Sequence, residues 1–343
     1  MHKRMLTAYS IAHAAVDFSC AFLVYRTMLD LTGLPLCLLL YNFCAFALQM
    51  PFGLICDVKN RNGVFAAIGC IFVSCAFLPI LPAAAASVIA GIGNGLFHVG
   101  GGLDVLNDSK NRASALGIFV SPGALGLYFG MSMGQDSTIP TAIPALALLM
   151  FAALILICSR HTYNGFQSQN DPPELTLPKG GVSSLVLLTL VVVLRSYMGF
   201  NQTFSWKSEW HWGLILTLAL VLGKAAGGFL CDLIGASASA SLSLGLAAVC
   251  YLFSDYPIIG TAAVFLFNMS MPITLFAAAR LLSGANGFAF GLLTFALFLG
   301  FLPTWYGLAS LLTEPWAMAA ASAVSAVLLF AGLKCESRES EKC

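Results

Sequence analysis

Twelve apolar stretches, each about as long as a bilayer core is thick, run from one end of this 343-residue chain to the other. They fall at about 6–27, 34–55, 64–81, 84–103, 113–133 and 139–158, then at about 182–203, 212–230, 236–254, 257–279, 284–302 and 314–333. A helix needs roughly 20 apolar residues to cross the hydrocarbon. Hydrophobic residues make up 59% of the chain and charged ones 9%, where soluble proteins carry about 25% charged residues. Sixteen basic and 15 acidic side chains cannot cover a water-facing surface of this size. The mean hydropathy of +0.88 agrees that the solvent is mostly lipid. Lipid cannot satisfy an open backbone, so such spans must be helices. The expected fold is an all-α polytopic membrane protein with no separate soluble domain. A net charge of +1 gives no steering toward nucleic acid. The 11 cysteines form no C-x-x-C pair and lie scattered in apolar segments, where Cys acts as a small hydrophobe. No disulfide framework, metal cluster or cofactor is expected.

A polar stretch, residues 159–181, divides the twelve into two sets of six. The expected organisation is an N-terminal bundle (1–158), a cytoplasmic linker (159–181), a C-terminal bundle (182–334) and a cytoplasmic tail (335–343). Ala12-His13-Ala14 mimics a signal cleavage site, but the apolar run before it is too short for a signal core, so this reads as a retained first span. With the N-terminus inside, Lys3, Arg4, Lys59, Arg61, Lys110, Arg112, Arg160, Lys179, Arg280, Lys334, Arg338 and Lys342 lie on cytoplasmic segments. Lys207 is then in an outside loop and Arg26 at the outer edge of the first span, which satisfies the positive-inside rule. Twelve spans with both termini cytoplasmic is the topology predicted for a multi-pass protein of the cytoplasmic (inner) membrane.

The two halves echo each other. Gly53-Leu54-Ile55-Cys56-Asp57 recurs as Gly228-Phe229-Leu230-Cys231-Asp232, 175 positions later. Asn94 matches Asn268, and Gly117-Ile118 matches Gly291-Leu292, each at an offset of 174. Six spans separate the copies, so both halves have the same topology. That is a parallel duplication about an axis along the membrane normal.

On these features the chain resembles the major facilitator superfamily over nearly its whole length. Gly53, Asp57, Lys59 and Arg61 look like that family's G-x-x-x-D-R/K-x-G-R-R loop, with Val58 and Asn60 departing from it. The second copy keeps Gly228 and Asp232 without the basic residues. Asn94-Gly95-Leu96-Phe97-His98 and Arg195-Ser196 are similar to the fosmidomycin-resistance type of exporter. The resemblance implies two pseudo-symmetric six-helix bundles and a gating role for the loop carboxylates. Asp57 would face the start of span eleven near Ser283–Asn286, and Asp232 the start of span five near Arg112. A carboxylate there meets the orphan N–H groups and positive dipole end of a helix, worth ~0.3–2 kcal/mol, weak enough to reopen. A plain solvated loop charge is the alternative.

Ionisable groups at membrane depth are functional candidates by default. His13 and Asp17 share a face of span one, with Asp17 ~16 Å from its cytoplasmic edge at 1.5 Å per residue. Arg195 lies ~18 Å into span seven, the repeat equivalent of span one. An ion pair or shared proton site between Asp17 and Arg195 is therefore expected, with a purely structural pair as the alternative. His13 suits a proton switch or a satisfied core histidine. His98 shares a face with Asn94 and is a cargo contact on this reading. Asn94 and Asn268 either bond cargo or join helices. Lys224 reads as a snorkelling residue, and Asp104, at the inner rim, has no assigned role.

Gly91-x-x-x-Gly95, Gly126-x-x-x-Gly130 and Gly223-x-x-x-Gly227 signal close helix packing. Pro122 within Ser121-Pro122-Gly123-Ala124-Leu125-Gly126 permits a bend, and the run partly resembles the family's antiporter motif. Gly130-Met131-Ser132-Met133-Gly134 spells G-x-S-x-G, but a membrane helix offers no strand-turn-helix elbow, so no hydrolase, and no enzyme, is expected. The resulting expectation is a monomeric secondary transporter among membrane lipid. It would move a small organic solute or drug by alternating access and proton-coupled efflux. Import of an organic anion by a facilitator or proton symporter, a channel, and a transport-inactive receptor or scaffold are the rivals.

Overall fold

In the computed structural model the described residues are 3–27, 32–109, 112–136, 138–160, 177, 180–208, 210–308 and 313–340. Most of the expected linker, with Lys179, lies outside them, as do Lys110 and Lys342. The helices in chain order are α1 (Lys3–Thr27), α2 (Leu34–Asn42), α3 (Gln49–Lys59), α4 (Asn62–Cys75), α5 (Ala83–Asp108), α6 (Ala113–Val120), α7 (Pro122–Gly134) and α8 (Ala142–Arg160). They continue as α9 (Gly181–Asn201), α10 (Trp210–Ile234), α11 (Ala236–Leu252), α12 (Pro257–Asn268), α13 (Ser270–Leu281), α14 (Asn286–Trp305) and α15 (Pro315–Ser340). No strand occurs among the described residues.

Among the described residues, ten helical segments are long and apolar enough to cross a bilayer. The two shorter apolar helices, α4 and α11, stand where the third and ninth spans are expected, at 14 and 17 residues. At 1.5 Å per residue they reach ~21 and ~26 Å, short of the ~30 Å hydrocarbon thickness.

Three spans are interrupted, and each break has a local cause or partner. In Leu34–Lys59 a π-helical turn, Phe43–Ala47, separates α2 from α3. Gly91 and Gly95 of α5 lie against it, since a Cβ on Gly91 would come within 2.7 Å of Cys44 Cβ and one on Gly95 within 3.1 Å of the Cys44 carbonyl. In Ala113–Gly134 the break is at Ser121, just before Pro122. Proline has no N–H to donate and its ring displaces the carbonyl four residues back, so the expected bend is a full interruption between α6 and α7. In Pro257–Leu281 a turn at Met269 separates α12 from α13.

The chain divides into two compact units. The first comprises Met1–Lys110, Pro122–Glu174 and Gly284–Thr294. Its core includes Tyr9, Phe22, Leu23, Phe97, Leu103, Leu148 and Ile155, all fully buried. Within it α7 rests on α1 through glycines. A Cβ on Gly126 or Gly130 would overlap the carbonyl of Ala14 or Phe18, and one on Gly134 would sit 2.9 Å from that of Phe22. Small residues are what let membrane helices approach to this distance. Gly69 and Gly93 do the same for α4 and α5.

The second unit comprises Asn111–Ser121, Leu175–Ser283 and Phe295–Cys343. Leu116, Phe119, Leu188 and Tyr251 are among its fully buried side chains. Here Gly223 and Gly227 of α10 pack on the backbone of Phe265 and Met269. In both units large apolar side chains also face outward, such as Leu146, Met150 and Ile157 in the first and Val182, Leu233 and Ile258 in the second. Outward apolar side chains in such number suit helices solvated by lipid.

Candidate functional site

In the first unit, α1 and α5 bring His13, Asp17, Asn94 and His98 together. The i, i+4 spacing puts His13 and Asp17 on one face of α1, and the same spacing puts Asn94 and His98 on one face of α5. His13 Nε2 lies 3.2 Å from Asp17 Oδ2 and 2.8 Å from His98 Nε2. His98 Nε2 lies 3.6 Å from Asp17 Oδ1, and Asn94 Nδ2 donates to that oxygen at 3.1 Å. His13 and Asn94 are buried, while Asp17 and His98 are partly so.

The hydrogen bonds restrict where protons sit. His98 Nδ1 is 2.9 Å from the Asn94 carbonyl, which can only accept, so this nitrogen carries a hydrogen. The two Nε2 atoms at 2.8 Å then share one proton between them, whichever ring holds it. Asp17 Oδ2 is the competing acceptor for it. The geometry thus places two imidazoles and one carboxylate where a single proton can be shared among them.

Sequence reasoning expected each of these residues in a site but did not join the two histidines to one carboxylate. It also missed three neighbours. Cys20, one turn above Asp17, receives the second contact of Asn94 Nδ2 at 3.7 Å and is hydrogen-bonded with Tyr41. Gly123, the second residue of α7, faces the cluster with no side chain, and a Cβ there would overlap Asp17 Oδ2 and His13 Nε2. The signal for Cys20 was its i, i+3 spacing from Asp17, hidden because cysteine passes for a small hydrophobe. Asp104, which had no assigned role, accepts the Tyr9 hydroxyl at 2.6 Å and so ties α5 to α1.

In the second unit, Arg195 is buried in α9 and Nη1 donates to Thr274 Oγ1 of α13 at 3.1 Å. The Thr274 hydroxyl itself donates to the Met271 carbonyl. Among the described residues, Thr274 is the one partner the structure gives to a group with five N–H donors. Asp17 and Arg195 each find these partners inside their own unit. Asn268, also buried, turns its amide nitrogen back to the Val264 carbonyl of its own helix at 2.8 Å. Lys224, read from the sequence as snorkelling, has Nζ 3.4 Å from the Val120 carbonyl, one of those next to the break at Ser121.

The loop carboxylates sit on helix starts. In the first unit Gly287 N–H donates to Asp57 Oδ1 at 2.7 Å and Phe288 N–H to Oδ2 at 2.9 Å. In the second, Ala113 N–H donates to Asp232 Oδ1 at 2.7 Å and Ser114 N–H to Oδ2 at 3.2 Å. The glycine four residues earlier explains the spacing. Gly53 meets Gly287 backbone to backbone, and a Cβ on Gly228 would be 2.6 Å from the Ala113 carbonyl. Any side chain there would hold the helix start beyond reach of the carboxylate. Lys59, Arg61 and Arg112 are exposed, flanking these contacts.

Each copy also ends its helix in a left-handed residue, Asn60 at φ 47° and Gly235 at φ 83°, again 175 positions apart. Asparagine at 60 departs from the family's glycine in identity but meets the positive φ, at ψ 43°, where asparagine is tolerated; Gly235 shares the positive φ but not the ψ, which is 160°.

The backbone is similar to solved structures of major facilitator superfamily transporters. It matches the E. coli fucose:proton symporter with a TM-score of 0.69 at 11% identity, covering 96% of this chain and 97% of that one. It matches the human organic anion transporter MFSD10 at 0.67 and 14%, covering 96% and 99%. A bacterial homologue of the iron transporter ferroportin, in an outward-facing state, matches at 0.61 and 14%, covering 97% and 99%. At these identities the likeness is one of fold: the chain has the fold of a major facilitator superfamily transporter. No family model matches the sequence, and no curated protein matches it.

Proposed function

We propose that the chain is a secondary active transporter that moves a small organic solute or drug across the cytoplasmic membrane by alternating access and proton-coupled efflux. The observation that carries this reading is the His13–Asp17–His98 cluster. Two imidazoles and a carboxylate within hydrogen-bonding reach, bound by Asn94 and roofed by Gly123, form a proton site inside a transporter fold. Arg195, whose partner among the described residues is the neutral Thr274 hydroxyl, is the counterpart that holds an anionic group of the cargo. Asn268 lines the same unit. Asp57 and Asp232, with Gly53, Gly228 and the flanking Lys59, Arg61 and Arg112, act as latches on the helix starts and release when the carrier opens to the cytoplasm. Each latch contributes about 0.3–2 kcal/mol, small enough to be overcome by binding. Twelve spans, cytoplasmic termini, bundles at 1–158 and 182–334, and a monomeric state belong to the same proposal. The likeness of Asn94–His98 to the fosmidomycin-resistance type favours export.

Coupling requires that protonation shift the balance between inward- and outward-open states. The test is transport in proteoliposomes under an imposed pH gradient. Uphill movement of solute against inward proton flow, abolished in Asp17→Asn and His98→Gln, is the expected result. Flux that ignores the gradient, or coupling that persists in both variants, overturns the reading. Uptake that follows the proton inward assigns the chain to symport instead, the mode named for the fucose:proton symporter.

A further inference from the structure

We propose that His13, Asp17 and His98 form a binding site for a first-row divalent metal cation of the Zn2+, Co2+ and Fe2+ class. The inference rests on reading this cluster as the functional site of the carrier, and it names an inorganic ligand for it. The donor atoms all lie within 4.8 Å of one another. Their separations are 2.8 Å between the two Nε2 atoms, 3.2 Å from His13 Nε2 to Asp17 Oδ2, and 3.6 Å from His98 Nε2 to Asp17 Oδ1. Bonds of ~2.0–2.1 Å in tetrahedral array place neighbouring ligand atoms ~3.3 Å apart. The three separations straddle that edge length, so a cation can enter with side-chain shifts of a few tenths of an ångström.

The surroundings match what a metal site needs and what a bare histidine pair does not. A ligating imidazole is oriented by a hydrogen bond from its other nitrogen, and His98 Nδ1 donates to the Asn94 carbonyl. This directs the Nε2 lone pair at the cluster centre. The Asp17 oxygen facing His98 is held by Asn94 Nδ2. One asparagine thus fixes one ligand through its backbone and another through its side chain. Gly123 keeps a side chain off this face of His13 and Asp17. Two imidazoles with one carboxylate favour borderline first-row cations over Mg2+ or Ca2+, which prefer all-oxygen sites. Three protein ligands also leave coordination positions open, as exchange of the ion requires.

The experiment uses the full chain, purified, stripped with chelator and titrated with Co2+. The expected result is one Co2+ per chain with visible d–d bands, displaced by Zn2+ and untouched by excess Mg2+. Asp17→Asn and His98→Gln lose the bands, while Asn94→Ala binds about 10–100-fold more weakly. His98→Cys keeps a ligand and gains a thiolate-to-cobalt charge-transfer band, which shows that the site is folded in the variant. Absence of Co2+ binding, or binding that survives both Asp17→Asn and His98→Gln, overturns the proposal. Proton-driven transport measured in chelator separates the two readings. If it persists while Co2+ fails to bind, the metal site alone is wrong; if Co2+ binds and transport ignores the gradient, proton coupling alone is wrong.

Discussion

Gly53 and Gly287 meet so closely that a Cβ on either would overlap the other's carbonyl oxygen. Their approach brings the N–H groups of Gly287 and Phe288 to Asp57, from 230 and 231 residues away in sequence. The G-x-x-x-D spacing is therefore a docking device, with glycine giving the room and the carboxylate one turn later capping the helix that arrives. Gly53→Ala is expected to destabilise the protein by about 1–3 kcal/mol, because the clash is with backbone and cannot be relieved by a rotamer. Thermal unfolding of the variant against the parent chain measures it.

Asp57→Asn keeps the shape and removes the charge facing the helix dipole. The loss of ~0.3–2 kcal/mol corresponds to opening up to about 30-fold more often. Cys56 is 1% exposed beside it and reports the opening. Its maleimide labelling rate, followed by peptide mapping, should rise by that factor; an unchanged rate would mean that the carboxylate latches nothing.

Gly123 and Gly126 separate function from stability on one helix. A Cβ at 123 meets the ends of two side chains, Asp17 and His13, which can move aside. At 126 it meets the main chain of Ala14, which cannot. Gly123→Ala should therefore abolish proton-driven transport with little change in melting. Gly126→Ala should lower the melting temperature and yield.

Arg195 gives a prediction of opposite sign for the two readouts. A buried charge held, among the described residues, by the Thr274 hydroxyl contributes little to the fold, and apolar replacements of buried charges are often neutral or stabilising by about 1–4 kcal/mol. Arg195→Met is expected to melt at or above the parent temperature while losing cargo binding. A strongly destabilised variant would instead make Arg195 a structural residue.

Asn60 and Gly235 occupy equivalent turns with different tolerance. Asn60 sits at φ 47°, ψ 43°, where glycine is at least as comfortable, so Asn60→Gly should leave melting nearly unchanged. Gly235 sits at φ 83°, ψ 160°, a region open essentially to glycine alone. Gly235→Ala should cost about 1–3 kcal/mol. Equal melting of the two variants would contradict the assigned backbone geometry.

The approximate positions of the helices were legible in the sequence, because lipid imposes a composition and a length that local residues must meet alone. Among the described residues, ten segments of sufficient length and two shorter apolar helices stand at the stretches read from the sequence. Pro122 announced the break in its span, since a missing N–H is a local fact. The π-helical turn at Phe43–Ala47 and the turn at Met269 carried the same kind of mark, Pro51 four residues after Ala47 and Pro272 four after Asn268, which the sequence reading passed over.

Company was the part decided in three dimensions. Nothing near His13 in the chain says that His98 will stand 2.8 Å from it, that Cys20 and Tyr41 will line the same place, or that Thr274 will be the partner of Arg195. A helix face fixes which side chains leave together, but which other helix they meet depends on glycine contacts such as Gly126 on Ala14 and Gly69 on Gly93. Hydropathy and spacing are properties of one segment. A site made from two segments exists only once close packing has set their rotation and register.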